Sequence, residues 1–164
     1  MTKEIITAIL IMFSFSLKTV AQHTVSVSKS NPIYLDLTSP NMSGAIQKTT
    51  IDNSQWLNYT TYVHPSDPTL SIMVEVISGT IPPGLMLTVE ASPYVGFSQG
   101  KQGSPAGKVT LSPRPKVLIN NISTCYTGSG RNEGHQLTFS IIVIDWAKVR
   151  SGTNNISIRY TITQ

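Results

Sequence analysis

Cysteine is almost absent from this chain of 164 residues, because Cys125 is the only one. A single cysteine cannot close an intramolecular disulfide, so the folded protein depends on its hydrophobic core alone. Free cysteine is among the residue types most often buried, and a small buried hydrophobe is the first interpretation of Cys125. The second is a disulfide between subunits, since an odd cysteine in a secreted chain can pair intermolecularly.

The chain also lacks an apolar run long enough to cross a bilayer as a helix. The longest run, Ile5 to Leu17, has 13 residues, whereas a transmembrane helix needs about 20. Lys3 precedes this run, and the small residues of 19–21 suit a signal peptidase, which predicts a signal peptide at residues 1–21 with cleavage before Gln22. A retained N-terminal anchor is the alternative. Cleavage predicts a protein that is secreted, periplasmic or on the cell surface, with no membrane span.

No cluster of charge of one sign is present. The chain has 12 basic and 8 acidic residues, and ten and seven remain once Lys3, Lys18 and Glu4 of the predicted signal peptide are left out. These charges are scattered, without the basic runs and interleaved aromatic residues that follow a nucleic-acid backbone. A nucleic-acid partner is therefore not expected.

Catalytic and metal-binding motifs are missing as well. The three histidines, His23, His64 and His135, lie far apart in the sequence. Neither His64 with Asp67 nor Glu133 with His135 has the spacing of a zinc site, and exposed turn positions are the alternative for both pairs. We therefore predict a protein that is not an enzyme and that holds no metal and no cofactor.

The glycine-rich segment 128–135 is not a phosphate-binding loop. It lacks the Gly-Lys-Ser/Thr sequence of such loops, and a strand pattern follows it where they require a helix. Its glycines are expected at positive φ in a connection between strands. Binding residues often lie in loops, so Arg131, Asn132 and Glu133 are candidate ligand contacts.

A repeated β pattern is what the sequence does contain. After Gln22 no segment keeps a 3.6-residue apolar period for three turns, whereas alternation of period two recurs with β-branched residues. This alternation predicts strands at 24–28, 33–37, 57–63, 69–77, 85–91, 108–111, 116–119, 137–144 and 156–162. The spacing favours an all-β fold, an immunoglobulin-like Greek-key β-sandwich of about eight strands formed by residues 22–164 as one domain.

Three details of this sandwich can be predicted further. The near-continuous apolar run in 137–144 indicates a central strand, since such strands are buried on both faces. The glycine-rich segment 96–107 is predicted to be a mobile loop. Residues 145–149 are predicted to form a single helical turn before the last strand.

Aromatic residues are concentrated in one strand-like segment, which holds Trp56, Tyr59 and Tyr62, and Trp146 adds another large ring. Exposed rings can stack on sugars, so Trp56 and Tyr59 are candidate contacts for a glycan. Large rings in a sandwich without disulfides more often fill the core, and that is the alternative for these residues.

Three segments carry a resemblance to a known group of proteins: 125–130 (CYTGSG), 134–139 (GHQLTF) and 158–163 (IRYTIT). They resemble uncharacterised secreted β-sandwich proteins of Bacteroidetes-type bacteria, which are similar to pilin and spore-coat-U-like subunits. The resemblance implies a subunit whose open sheet edge accepts a strand from a neighbouring subunit. In such strand addition, main-chain hydrogen bonds supply affinity and alternate side chains supply specificity.

Two segments are predicted to be the assembly strands, 24–28 and 156–162, although 24–28 is equally interpretable as the domain's own first strand. The assembly residues are Thr24, Val25, Val27, Ile156, Ile158, Tyr160 and Ile162. The sequence thus predicts a non-catalytic exported surface protein, a fimbria-like, pilin-like or coat-like structural or adhesive subunit that associates with itself or with related subunits. The alternative is a secreted carbohydrate-binding or adhesive module that acts as a monomer.

Overall fold

The computed structural model describes residues 23–28, 32–37 and 49–164, so the predicted signal peptide at 1–21 lies outside the described residues. Within these ranges the chain forms eleven strands and one 3₁₀ turn, Trp146–Lys148. The strands are β1 (Thr24–Ser28), β2 (Thr50–Thr61), β3 (Leu70–Ser78), β4 (Leu85–Ala91), β5 (Gln99–Gly100), β6 (Ser104–Pro105), β7 (Val109–Thr110), β8 (Lys116–Ile122), β9 (Cys125–Tyr126), β10 (His135–Val143) and β11 (Ser157–Thr163).

The strands form two antiparallel sheets. The larger sheet has the order β5-β9-β2-β10-β4-β7, with β1 also paired to β2, and the smaller sheet has the order β11-β3-β8-β6. Thr60 of β2 pairs with Tyr126 of β9 and with Thr24 of β1, while Leu57 pairs with His135 of β10. Because a strand has only two edges, β9 and β10 share one edge of β2 and β1 occupies the other.

The core lies between the two sheets. Leu57 and Leu137 of the larger sheet and Ile72 and Leu118 of the smaller sheet have no exposed surface and belong to one hydrophobic cluster. Each such side chain contributes about 1.5–3 kcal/mol relative to an exposed one. Cys125 is free and buried in the same cluster, in agreement with its first interpretation.

Strand pairing in the sandwich is nested along the chain. β2 pairs with β10 and β4 with β7 in the larger sheet, and β3 pairs with β8 in the smaller one. Successive pairs therefore alternate between the two sheets, while β10 also pairs with β4 and β11 with β3. The predicted all-β sandwich is confirmed, and the nesting is a detail that the prediction did not contain.

Several predicted elements are reproduced closely. The strands 24–28 and 85–91 match β1 and β4 residue for residue, and 145–149 contains the 3₁₀ turn, capped by the Asp145 side chain. The central position predicted for 137–144 is confirmed, since β10 lies between β2 and β4.

Three predictions of local structure were wrong. The described residues 32–37 form no strand, and β2 begins at Thr50 rather than near residue 57. The segment 96–107, predicted as a mobile loop, contributes β5 and β6 to the two sheets. Gly100 explains part of this difference: it has φ +88°, and a Cβ there would overlap the carbonyl oxygen of Thr124. Glycine lets this segment lie directly against β9.

Candidate functional site

The two predicted assembly segments are both edge strands. β1 pairs only with β2 and β11 pairs only with β3, so within the described residues each has one unpaired edge. The two strands also contact each other, which places both open edges on the same side of the sandwich. β1 is paired here with β2 of its own chain, which is the arrangement of a first strand of the domain.

Their inward side chains pack against the core as the alternation predicted. Val25 and Val27 of β1 are half-buried, and so are Ile156, Ile158, Tyr160 and Ile162 at β11. Thr24 lies on the outer face of the larger sheet and is exposed. Among the residues that the structure describes, the buried hydroxyl oxygen of Tyr160 has no hydrogen-bond partner, and burial raises the pKa of the Tyr160 phenol.

An ion pair stands on the outer face of β11 and β3, with Arg159 exposed and Glu75 half-buried. The Arg159 guanidinium donates from Nε and Nη2 to Oε1 of Glu75 on β3, at 3.0 and 2.8 Å. Arg159 and Glu75 are register partners across the two strands. Such a pair contributes little to stability at an exposed position, but charged side chains on an edge strand restrict which strand can pair with it.

A buried polar cluster lies at the end of the larger sheet where β2, β9 and β10 meet. We define this histidine cluster as His135, Tyr59, Ser92, Gln102 and Tyr94. His135 Nδ1 is 2.7 Å from the Ser92 carbonyl oxygen, and Nε2 is 2.9 Å from the Tyr59 hydroxyl oxygen. The Tyr59 hydroxyl also donates to the Gln102 carbonyl. Tyr94 meets the imidazole edge-on, with ring centroids 5.8 Å apart.

The three polar contacts of this cluster need three hydrogens. A neutral imidazole and a phenol supply two, whereas an imidazolium and a phenol supply three. Burial lowers the pKa of His135, although the hydrogen bond to the Ser92 carbonyl opposes this in part. The neutral imidazole is therefore the favoured form, and one of the three contacts then lacks a hydrogen.

The histidine cluster has no path for a substrate, since His135 is fully buried and Tyr59 is 2% exposed. Burial, with smaller contributions from Cys125 and Tyr94, raises the pKa of Tyr59, so its phenol stays neutral. The arrangement connects the segment 92–102 to β2 and β10. The contacts that the structure shows for His135 and Tyr59 hold these segments together.

The segment 127–134 is held on β2 by a second set of hydrogen bonds. The Tyr59 amide donates to Thr127 Oγ1 at 2.8 Å, and Thr127 Oγ1 donates to the Tyr59 carbonyl at 3.0 Å. Asn58 Nδ2 donates to the Glu133 carbonyl at 2.8 Å, and the Glu133 carboxylate accepts from the Ser129 amide. These bonds cover Asn58, which lies on the outer face of the sheet.

The three candidate ligand contacts in this segment have different surroundings. Arg131 and Asn132 are exposed, while Glu133 is half-buried and its carboxylate is already engaged with the segment's own backbone. The glycines of 128–135 all have positive φ, as expected. Asn132 also has a positive φ, of 66°, which turns the chain back toward β10.

Two interpretations of the aromatic residues need correction: sugar contact for Trp56 and Tyr59, and core packing for Tyr62 and Trp146. Trp56 is 8% and Tyr59 2% exposed, so neither ring offers a face on which a sugar could stack, and burial is the arrangement found. Tyr62 and Trp146, in contrast, are 61% and 53% exposed, so packing in the core is wrong for them. The alternation along β2 carried this information: Leu57, Tyr59 and Thr61 point inward, and Tyr62 therefore points outward.

The two histidine–carboxylate pairs lie in different surroundings, His64 exposed and His135 buried. Among the residues that the structure describes, no group of three or more His, Cys, Asp or Glu side chains could hold a metal ion. His64 is exposed in a turn, with Nδ1 2.7 Å from Ser66 Oγ. His135 is not an exposed turn residue, and its role in the buried cluster was missed because its partners come from distant segments.

Comparison of this chain with protein-family models, with curated proteins and with solved structures found no match. The resemblance to pilin and spore-coat-U-like subunits therefore stays a prediction. In the described ranges, no helix has the length and apolar character that a membrane span requires.

Proposed function

We propose that this chain is a non-catalytic exported surface protein, a fimbria-like, pilin-like or coat-like structural or adhesive subunit that assembles by β-strand addition. The observation that supports this proposal is the position of β1. It is a short edge strand close to the N-terminus, it pairs with β2 alone, and its open edge lies beside that of β11.

Exchange of β1 between subunits would preserve the contacts seen here. The five register pairs between β1 and β2, from Thr24–Thr60 to Ser28–Trp56, use main-chain groups that a neighbour's β1 offers equally. Val25 and Val27 of that neighbour would occupy the same half-buried positions on the core. Because 21 residues separate Ser28 from Thr50, β1 can reach another subunit together with residues 32–37, whose Ile33 and Leu35 pack against the core here and would pack in the same way on the neighbour.

β11 supplies the second open edge. Its outer edge is unpaired in the described part of the chain, and its inward residues already cover the core. An added strand would therefore gain main-chain hydrogen bonds without uncovering apolar surface. The Arg159–Glu75 pair would face that strand from the outer surface and favour one with a complementary charge.

Cysteines at one register pair can test this proposal directly. Thr24 and Thr60 are exposed and directly opposite, and opposite residues of antiparallel strands lie within the range of a disulfide. A T24C/T60C variant, expressed with its native N-terminus in a Cys125→Ser background, is oxidised and run on a non-reducing gel. A ladder of covalent multimers is expected if β1 pairs between subunits.

The single T24C variant, which can form at most a dimer, is the matched control. A T24C/T60C protein that oxidises completely as a monomer would refute strand exchange, because β1 would then pair only within its own chain. N-terminal sequencing of the exported protein, with Gln22 as the expected first residue, tests the export that the proposal requires.

A further inference from the structure

An ordered row of exposed side chains crosses the end of the larger sheet. Thr24 pairs with Thr60, Thr60 with Tyr126, and Tyr126 with Gln99, so one side chain from each of β1, β2, β9 and β5 stands in register. All four are exposed. With about 4.8 Å between neighbouring strands, this row is about 14 Å long.

Two exposed tyrosines stand at this end of the larger sheet, one in the row and one just beyond β2. Tyr126 is 47% exposed, and Tyr62, which directly follows β2, is 61% exposed. Tyr62 is two residues beyond Thr60, the register partner of Tyr126, and the alternation of β2 directs it to the same outer face. Each ring combines an apolar face with a hydroxyl at its tip. We call Thr24, Thr60, Gln99, Tyr62 and Tyr126 the tyrosine platform.

The polar groups of the tyrosine platform are free to bind a ligand. In the part of the chain that the structure describes, their hydroxyls and amide form no intramolecular hydrogen bond, whereas the nearby hydroxyls of Thr61, Thr124 and Thr127 all do. None of the five side chains carries a charge. Lys101, which follows β5, is exposed, and the Glu133 carboxylate is occupied by the Ser129 amide.

The platform is open rather than a pocket. On the same face of β2, Asn58 is covered by the segment 127–134 through its bonds to Gly130 and Glu133. That segment lies beside the platform, and among the described residues the row of exposed side chains continues to β1. A surface of this shape suits an extended chain molecule more than a single small ligand, which would require burial on several sides.

We propose that the tyrosine platform binds a neutral glycan chain. A sugar ring has an apolar face of C–H groups and a rim of hydroxyls, and it carries no charge. Tyr62 and Tyr126 would contact the apolar faces, and the hydroxyls and amide of the row would exchange hydrogen bonds with the rim. The site lies on the outer face of the sheet, and four of its five residues lie outside β1; only Thr24 belongs to the strand proposed to exchange, and a neighbour's β1 would place its own Thr24 opposite Thr60.

A glycan array carrying neutral and acidic oligosaccharides, probed with the mature protein, tests this proposal. We expect binding to neutral glycans, and a loss of about tenfold in affinity for Tyr62→Ala and for Tyr126→Ala, the effect of removing one important contact. The control is Trp146→Ala, a ring of similar exposure that follows β10 at the opposite end of the sheet. It should bind as the parent does.

The Tyr126→Phe variant separates the ring from the hydroxyl, and it should keep more of the affinity than Tyr126→Ala. Thermal unfolding of each variant shows whether the fold is retained, as expected for exposed positions. Three results would each overturn the proposal: no binding to any neutral glycan, equal loss in Trp146→Ala, or binding only to acidic glycans that disappears in Lys101→Ala.

Discussion

Replacing Tyr59 by phenylalanine removes one hydroxyl from the histidine cluster and leaves the ring in place. That hydroxyl contacts His135 Nε2 at 2.9 Å and the Gln102 carbonyl, so the substitution leaves two buried or half-buried groups without this partner. A typical hydrogen bond contributes about 0.5–1.5 kcal/mol, and an unsatisfied buried group costs about 1–3 kcal/mol. We expect the free energy of unfolding to fall by about 1–3 kcal/mol, with no contribution from a cavity, because the ring is retained.

Equilibrium unfolding in urea at pH 7.5, followed by tryptophan fluorescence, measures this change. The matched control is Tyr62→Phe, since the Tyr62 hydroxyl has no partner in the described part of the chain and its side chain is 61% exposed. That variant should stay within about 0.5 kcal/mol of the parent. A Tyr59→Phe protein as stable as Tyr62→Phe would refute the conclusion that the histidine cluster holds segment 92–102 in place.

Three further predictions concern the same domain. Burial lowers the pKa of His135, so the unfolded chain binds a proton at higher pH than the folded chain, and the free energy of unfolding should fall as pH drops below about 6.5. The His135→Gln variant should flatten this dependence in urea titrations between pH 8 and 5. A parent protein that gains stability in acid would contradict the prediction. The Gly134→Ala substitution should lower the melting temperature more than Gly107→Ala does. Both glycines have positive φ, but only a Cβ at Gly134 would overlap a carbonyl of β2. An equal fall in melting temperature for the two variants would leave backbone strain alone as the cause. In denaturant titrations, Leu118→Ala should lower the free energy of unfolding by about 2–5 kcal/mol, and Val117→Ala, at a more exposed position, by under about 1 kcal/mol. The reverse order would show that the core has been misassigned.

The candidate site illustrates how far residue patterns reach. Alternation identified the inward side chains of β1 and β11, and the hydrogen bonding of the 127–134 segment agrees with its interpretation as a connection between strands. Alternation did not show that β1 and β11 are both edge strands, since a half-buried strand reads the same at an edge and inside a sheet. The partners of Tyr59 and His135 are 43 and 76 residues away along the chain, and no local pattern specifies such contacts.

The sequence by itself determined the all-β class, the inward and outward faces of the long strands and the dependence on a core without disulfides, because period-two alternation and the count of cysteines are local properties. Only the tertiary structure decided which strands are neighbours. The pairing of β1, β2, β9 and β5 brings Thr24, Thr60, Tyr126 and Gln99 into one row, and the packing of distant segments encloses His135. Register between strands distant in the chain is fixed by the packing of both sheets at once, and for that reason the tyrosine platform and the histidine cluster appear only in the folded protein.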